Sequence, residues 1–599
     1  MKLARHYLRL REQFPHILER QEVQVTLDEL AAALDCTHRN VVLLLGKMSG
    51  QGWVDWTPRR GRGNRSSLTF LLPSEQMILT IAKELVEKKD LRGAFEQMNV
   101  STLPEALKDH FQSWLTGYFG YSSEVQGSKR FDTLRFPLTQ PLKSLDPATI
   151  HLQAEAHLVR QLFDPLVRYN RLSQTIEPHL AHAWETNEAR TRWTFHLRKG
   201  VQFHHGRELT AADVRYTFER LKRLAPGSLY SWVQQQVVAV EVIDPITVQV
   251  QLAEPNELFL QYASTNRASI IPADVCEELG GELALSPVGT GPFRLTHHDR
   301  SMFVLDAFPA YFQGRAHLDR VELWQMAELH SQHRSLALES FQIMHNYRLP
   351  EGAADTWQQV QQQGTTCRFL TFNLLKQGPL SDPDVRAAVC AALSQDKLLQ
   401  RLSGDAIYGA SSFIRQAAGA NVAAAETYAE RAGRIRALLK RSGYAGERLV
   451  LCTITQYEPD ALLVQSLLQE AGLAAEVKLL SVEEFKGEQR LYADLLLFSI
   501  MLDNDAELRL IDLFKTMQRH LEPTAKAGVS ALLEQVLREP SRDRRTELLQ
   551  AVETLLTTKQ LLLFLYGKRL NTIYHSSVKG ISLDTLDWVQ FKSIWFQPS

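Results

Sequence analysis

Residues 26–72 read TLDELAAALDCTHRNVVLLLGKMSGQGWVDWTPRRGRGNRSSLTFLL. Thr26 followed three residues on by Glu29 is a capping box, so a helix starts there. It ends near Cys36, and Thr37 opens another helix running to about Met48. Two short helices joined by a tight turn are the pattern of a helix–turn–helix. In the later helix Val41, Leu44, Leu45 and Met48 follow the i, i+3, i+4, i+7 rule and are expected to face a core. Arg39, Leu43 and Lys47 then point away, with Asn40 on the flank and Thr37 and His38 at the leading end. Arg and Asn side chains can bond guanine and adenine edges bidentately in a major groove. A charged helix face is more commonly just solvated, and the helix alone leaves both readings open. The next segment tilts the balance. GWVDW and SSLTFLL read as strands, and between them Arg59, Arg60, Arg62 and Arg65 alternate with Gly61 and Gly63, which permit a tight hairpin. A basic β-hairpin after a helix–turn–helix is a winged helix, and such a wing can lie on the phosphate backbone or in a narrow minor groove. Double-stranded DNA is the expected partner. Trp53 and Trp56 read as core residues, and Leu3–Leu18 as an amphipathic helix ahead of the motif.

The surroundings agree with this. The 599 residues carry a net charge of −1, yet residues 1–72 hold 11 Lys and Arg against 7 Asp and Glu. A basic end on an acidic body points to a nucleic-acid module joined to something else. The five cysteines, Cys36, Cys276, Cys367, Cys390 and Cys452, are scattered without a CxxC pair, which fits reduced thiols better than disulfides or zinc. MKLARHYLRLREQF lacks the apolar run of a secretory leader, and no apolar stretch is long enough to span a bilayer. A cytoplasmic location without membrane insertion is therefore expected.

Residues 73–130 are helical in pattern and read as a connector, with EVQGSKR (124–130) as a flexible junction. From 131 onward short strands, turns and helices alternate. LKSLDPATIHLQAEAHLVRQLFDPLVRYN (142–170), LAHAWETNEARTRWTFHLRKGVQFHHGRELTAADVRYTFERL (180–221), SPVGTGPFRL (286–295) and FNLLKQGPLSDPDVRAAVCAALSQDKLL (372–399) resemble the blocks of the extracellular solute-binding family 5. Within them, Gly200 and Gly206 read as turn residues and Thr210 with Asp213 as a capping box for the helix 211–221. Gly289 and Gly291 read as suppliers of unusual backbone angles, and Ser381 with Asp384 as the cap of the helix holding Arg386. Trp184 and Trp232 read as core.

A winged helix, a helical linker and a family 5 domain in one chain together resemble the SgrR family of transcription regulators, known for responses to sugar-phosphate stress. The resemblance implies a multidomain architecture: an α/β winged helix at 1–72, a helical connector at 73–130, and a two-lobed α/β domain of the periplasmic-binding-protein type II kind at 131–599. Its lobes would be about 131–370 with 558–599, and about 371–557. It also implies a small-molecule ligand, a sugar phosphate or a short peptide, held at the hinge. In the family's peptide binders an acid after a strand holds the ligand's amino terminus. Asp503, in LLLFSIMLDNDAEL (495–508), is the matching position, although the usual Trp and Asp-Pro around it are missing. The segment ASTNRASIIP (263–272) falls where the family lines its cleft. There Arg267, with Asn266 beside it, could receive an anion, because guanidinium forks fit phosphate.

Enzymatic readings find little support. The pairs His204–His205 and His297–His298 and the spacings His179/His182 and His330/His333 lack the three or four convergent ligands of a metal site. The Gly-Thr-Gly-Pro turn is neither a GxGxxG nor a P-loop, and no GxSxG occurs. No catalytic residue, metal or cofactor is expected.

Overall fold

The computed structural model describes residues 2–59, 65–99, 103–138, 142–150, 152–170, 173–224, 228–279, 282–284, 286–299, 301–325, 343–345, 357–402, 407–414, 427–502, 505–581 and 590–597. The chain forms two compact units, one of residues 1–141, 296–305 and 320–342, the other of residues 142–295, 306–319 and 343–599.

The first unit opens with α1 (Lys2–Gln13), which buries Ala4, Tyr7 and Leu10. It stops well short of Leu18, which is exposed. Pro15 is the reason: the residue before a proline is driven out of helical geometry. A strand that the sequence pattern did not signal follows, β1 (Glu22–Val25). Next come α2 (Leu27–Leu34), α3 (His38–Gly50), β2 (Val54–Thr57) and β3 (Ser66–Phe70). The three strands form an antiparallel sheet in the order β1-β3-β2. The Thr26 box is formed in full: Thr26 Oγ1 accepts from Glu29 N at 3.2 Å, and Thr26 N donates to Glu29 Oε2 at 2.8 Å. Val41, Leu45 and Met48 are buried in a core with Tyr7, Leu30, Leu34, Val54, Leu68 and Phe70, while Leu44, Trp53 and Trp56 are partly buried against it.

The same core continues into the helices Ser74–Glu87, Leu91–Met98 and Glu105–Tyr118. The segment 124–130 is not a flexible junction. Strands Gly120–Gln126 and Lys129–Leu138 pair through it, with Glu124 opposite Phe131 and Gly127 at φ +65° in the turn. Lys129–Leu138 also pairs in parallel with Arg320–Gln325. That partner lies far along the chain, so local pattern could not reveal it. Buried Glu322 in this sheet accepts from Lys89 at 3.2 Å and Arg135 at 3.1 Å.

In the second unit a four-stranded antiparallel sheet runs in the order Val237–Asp244, Thr247–Leu252, Arg192–Leu197, Ala181–Thr186. A larger mixed sheet is built on two long antiparallel strands, Trp357–Phe372 and Leu562–His575. Leu495–Met501, Leu449–Ile454 and Ala475–Leu480 extend it. The two long strands lie where the expected lobes exchange chain. One apolar core joins Trp193, Phe195, Phe259 and Tyr262 to Leu508, Phe514, Val529 and Leu533, so it draws on both expected lobes. Trp184 and Trp232 are only partly buried against it.

Two motif readings change in physical content. Gly289 and Gly291 are absent from the positive-φ positions. They are required by close approach instead, since a Cβ on Gly289 would sit 2.1 Å from the Leu162 carbonyl oxygen, and one on Gly291 2.5 Å from the Leu162 carbonyl carbon. The cap of the helix Pro383–Ala392 is Asp382 rather than Ser381, and its carboxylate accepts from Asp384 N at 2.7 Å. Only half of the Thr210–Asp213 box forms: Asp213 accepts from Thr210 N at 2.9 Å, but Thr210 Oγ1 donates to the same carboxylate at 3.0 Å instead of capping Asp213 N, and Asp213 also takes Arg207 through both oxygens.

Candidate functional site

On α3 the expected outward face is outward. Thr37, His38, Arg39, Asn40, Leu43 and Lys47 are all exposed. Thr37 holds the N-cap position, yet its side chain makes no cap bond; only its carbonyl accepts, from Asn40 N and Val41 N. Its hydroxyl is thus left at the leading end of the helix. His38 Nε2 lies 2.9 Å from Asp28 Oδ1, both at the surface. Arg39, Asn40 and Lys47 have no side-chain hydrogen bond or ion pair among the described residues. In the hairpin, Arg59 N donates to Ser66 Oγ at 3.1 Å. Arg65 reaches Gln24 O at 3.5 Å and Glu29 at 3.9 Å. Contacts of that length at the surface contribute little and yield readily to a phosphate. Arg60 and Arg62 lie outside the described residues.

The second unit holds a cavity of about 230 Å³. Three cationic side chains, Arg160, Arg168 and Lys592, line it together with Tyr169, Ser264, Thr265, Asn266, Asp505 and Gln590. Its floor is a built network around buried Asp164. That carboxylate accepts from His179 Nε2 at 2.8 Å, Thr290 Oγ1 at 2.8 Å and Tyr311 OH at 3.1 Å. Burial alone would raise the Asp164 pKa; the His179 ring and the three hydrogen bonds outweigh it and hold the carboxyl below its ordinary range. On its other side His179 meets Gln313 Nε2 at 3.0 Å. Lys592 donates to Gln313 O at 2.9 Å and lies over the Tyr311 ring. Burial pulls its ammonium below the ordinary lysine range.

Of the residues expected from sequence, Asn266 lines this cavity and donates to Ala156 O at 3.2 Å. Arg267 is not part of the lining. Its guanidinium donates to Ile150 O at 2.6 Å, and burial lowers its pKa. Asp503 lies outside the described residues, as does the pair His330/His333. Asp505, two positions on, is in the wall and accepts from Tyr230 OH.

Sequence reasoning missed Tyr230. It is fully buried, sits at φ +64° in the left-handed region and donates its backbone N to Asp512 Oδ1 at 3.1 Å. A bulky residue in that conformation is uncommon and strained, and such strain clusters at functional sites. No sequence signal marks it. Asp512 is half-buried, and desolvation raises its carboxyl pKa.

Comparison with known proteins fits this division. Residues 175–518 match the bacterial extracellular solute-binding proteins, family 5. The chain belongs to that family. Residues 2–121 match the N-terminal domain of the sugar transport-related sRNA regulators, SgrR, so the family 5 domain here stands in the SgrR arrangement. The SgrR match takes in the winged helix and the three helices behind it. YhjP of Bacillus subtilis strain 168 is 31% identical over 99% of this chain and 100% of its own. The HTH-type transcriptional regulator SgrR of Yersinia enterocolitica is 28% identical over 98% of this chain and 99% of its own. Among solved structures, the periplasmic binding protein DppA from Helicobacter pylori, in complex with the peptide STSA, superposes with a TM-score of 0.65. It is 21% identical and covers 78% of this chain and 98% of its own. NikA from Brucella suis, in complex with Fe(III)-EDTA, gives 0.62 at 19% identity over 78% and 100%. At these identities the likeness establishes the two-lobed binding-protein fold and nothing about the ligand.

Proposed function

We propose that this chain is a cytoplasmic DNA-binding transcription regulator whose family 5 domain binds a small molecule and thereby alters DNA affinity, with no catalytic role. The observation that carries the reading is the exposed face of α3, where Arg39, Asn40 and Lys47 stand without side-chain partners among the described residues, ahead of a hairpin sequence rich in arginine. Charged groups kept out of intramolecular pairs are what a phosphate and base-edge interface needs. In this reading Thr37, His38, Arg39, Asn40 and Lys47 meet the major groove, and Arg59, Arg60, Arg62 and Arg65 hold the backbone.

For the ligand, Arg160, Arg168 and Lys592 around the cavity favour an anion, and a sugar phosphate is the first candidate. A short peptide is the second, favoured by Asp505 in the same wall, whose carboxylate can accept an ammonium. Asn266, Asp503 and Arg267 are proposed to border or support that site.

The test is fluorescence anisotropy of the full chain on DNA from upstream of its own gene, titrated against salt and then against sugar phosphates and short peptides. Contacts to about four phosphates give a log–log salt slope near −4 per protomer. A ligand must also shift the curve, because only differential affinity for two states moves an equilibrium. Binding that ignores every metabolite would overturn the sensor reading, and absence of salt-dependent binding would overturn the DNA reading.

A further inference from the structure

We infer that Leu43 is a specificity residue that reads a thymine methyl group in the major groove. The inference rests on the DNA-binding reading above and names one element of the sequence read.

Leu43 is 56% exposed and Val42 45% exposed on α3. The four buried or half-buried positions of the helix, Val41, Leu44, Leu45 and Met48, already make its core contact, so packing does not demand further aliphatics at 42 and 43. A single exposed leucine needs no explanation. This one is placed between two cations one helical turn away on either side, Arg39 at i−4 and Lys47 at i+4, neither of which has a side-chain partner among the described residues. Residues so spaced share one strip of helix surface. The strip therefore reads cation, branched aliphatic, cation.

That order selects the occupant. An apolar protein partner would have to desolvate both cations without supplying an acid. A DNA major groove supplies a guanine edge for Arg39 and phosphates at its edge for Lys47, and its floor carries one kind of apolar group, the C5 methyl of thymine. Leu43 lies in the middle of the strip, where the floor would be. The two carbons beyond its Cγ fit against such a methyl without any polar group having to be satisfied, so the contact discriminates thymine from cytosine by apolar burial. Asn40, on the flank, is the side chain type that bonds adenine bidentately, so an A·T-containing step is the chemistry this face fits.

The experiment uses the full-length protein and a duplex selected by it from a random-sequence pool. Each thymine of the selected site is replaced in turn by deoxyuridine, which lacks only the methyl, and affinities are measured for the wild type, Leu43→Ala and Val42→Ala. Alanine at an exposed helix position favours the helix, and circular dichroism checks that the fold is kept. One deoxyuridine position is expected to weaken wild-type binding about four-fold, the effect of losing one buried methyl-sized group. Leu43→Ala is expected to be insensitive at that position, and Val42→Ala to keep the wild-type sensitivity. The inference is overturned if no deoxyuridine position affects a specifically bound duplex, if Leu43→Ala keeps the same sensitivity, or if Leu43→Ala instead dissociates a protein dimer in sedimentation with no methyl effect. Failure to select any duplex would instead strike the DNA-binding reading itself, and this inference with it.

Discussion

The outward face of α3 and the cavity floor around Asp164 treat polar groups in opposite ways. On α3 the side chains of Arg39, Asn40 and Lys47 are exposed and, among the described residues, unspent. Around Asp164 His179, Thr290 and Tyr311 are committed to one carboxylate, and Gln313 to His179. The difference follows from solvent. At a surface, water solvates a waiting cation until a phosphate replaces it, and little is lost by leaving it unpaired. In the interior an unpaired polar group is expensive, and the groups around Asp164 are bonded to one another, which leaves Ser269 Oγ as the buried hydroxyl of the same lining that has no partner among the described residues. One region is built to be completed by its partner, and the other is complete as a frame that orients a few remaining groups.

The contrast makes graded predictions. The largest effect is expected from Asp164→Ala, which strands three buried donors at once. The thermal transition of the second unit should fall by the equivalent of about 3–5 kcal/mol; a loss below about 1 kcal/mol in calorimetry would mean that the floor is not the frame described. Next is Glu553, buried on the helix Arg542–Thr558, with its carboxyl accepting from Ser412 Oγ at 2.6 Å and Phe413 N at 3.1 Å. Burial raises its pKa to about 7, against those two hydrogen bonds, which lower it. A carboxyl with a raised folded pKa holds its proton longer folded than unfolded. Its contribution is therefore fully present below the ordinary glutamate range and is lost as pH rises through about 7. Glu553→Gln should flatten that decline, gaining up to about 3 kcal/mol at pH 8 relative to the wild type; parallel pH–stability curves for the two proteins would refute it.

Arg39→Ala tests the other side. Operator affinity should drop by about 1–3 kcal/mol with loss of discrimination at one base pair, while thermal stability stays within about 0.5 kcal/mol. A destabilised Arg39→Ala protein would show that the surface is not unspent after all. The smallest effect is expected from Arg65→Ala, whose intramolecular contacts are long. It should weaken binding evenly across sequences and reduce the salt slope by about 1; an unchanged slope would remove Arg65 from the backbone contacts.

How much of this was legible in sequence follows the same division. The winged helix was readable because its signals are local: the Thr26–Glu29 box, the apolar face at 41, 45 and 48, and the hairpin arginines. Even there β1 escaped, since EVQV takes its strand character from pairing with β3 rather than from its own pattern. The helix ahead ends at Gln13 although its amphipathic pattern runs on to Leu18, because Pro15 breaks the helical geometry before it. The hairpin at 124–130 looked like a linker because its polar residues border a sheet whose next strand is Arg320–Gln325. The family 5 blocks gave the larger fold but not the wall of its cavity. Asn266 is legible there, while Arg168, inside a quoted block but without a signal of its own, and Lys592, from the far end of the chain, are not, because only the fold brings them to one lining. The glycines at 289 and 291 suggest unusual backbone angles in sequence, yet close packing is what requires them. Nothing in GTGP says that the Leu162 backbone will press against it.

The paired strands Trp357–Phe372 and Leu562–His575 have a consequence for how such a chain diversifies. Thr371 is opposite Leu562, and opposed residues in a ladder have Cα atoms roughly 5 Å apart. The segment between them belongs to the same unit, and its two ends adjoin where it departs from and rejoins the paired strands, as a cassette would. Transplanting that cassette between relatives would need almost no new linker and little loop-closure entropy. The cassette also carries Leu508, Phe514, Val529 and Leu533, half of a core completed by Trp193, Phe195 and Phe259 outside it. Exchange is therefore restricted twice over: a graft must supply a strand that pairs with Thr366–Phe372 as Leu495–Met501 does, and helices that match the apolar relief already waiting for them.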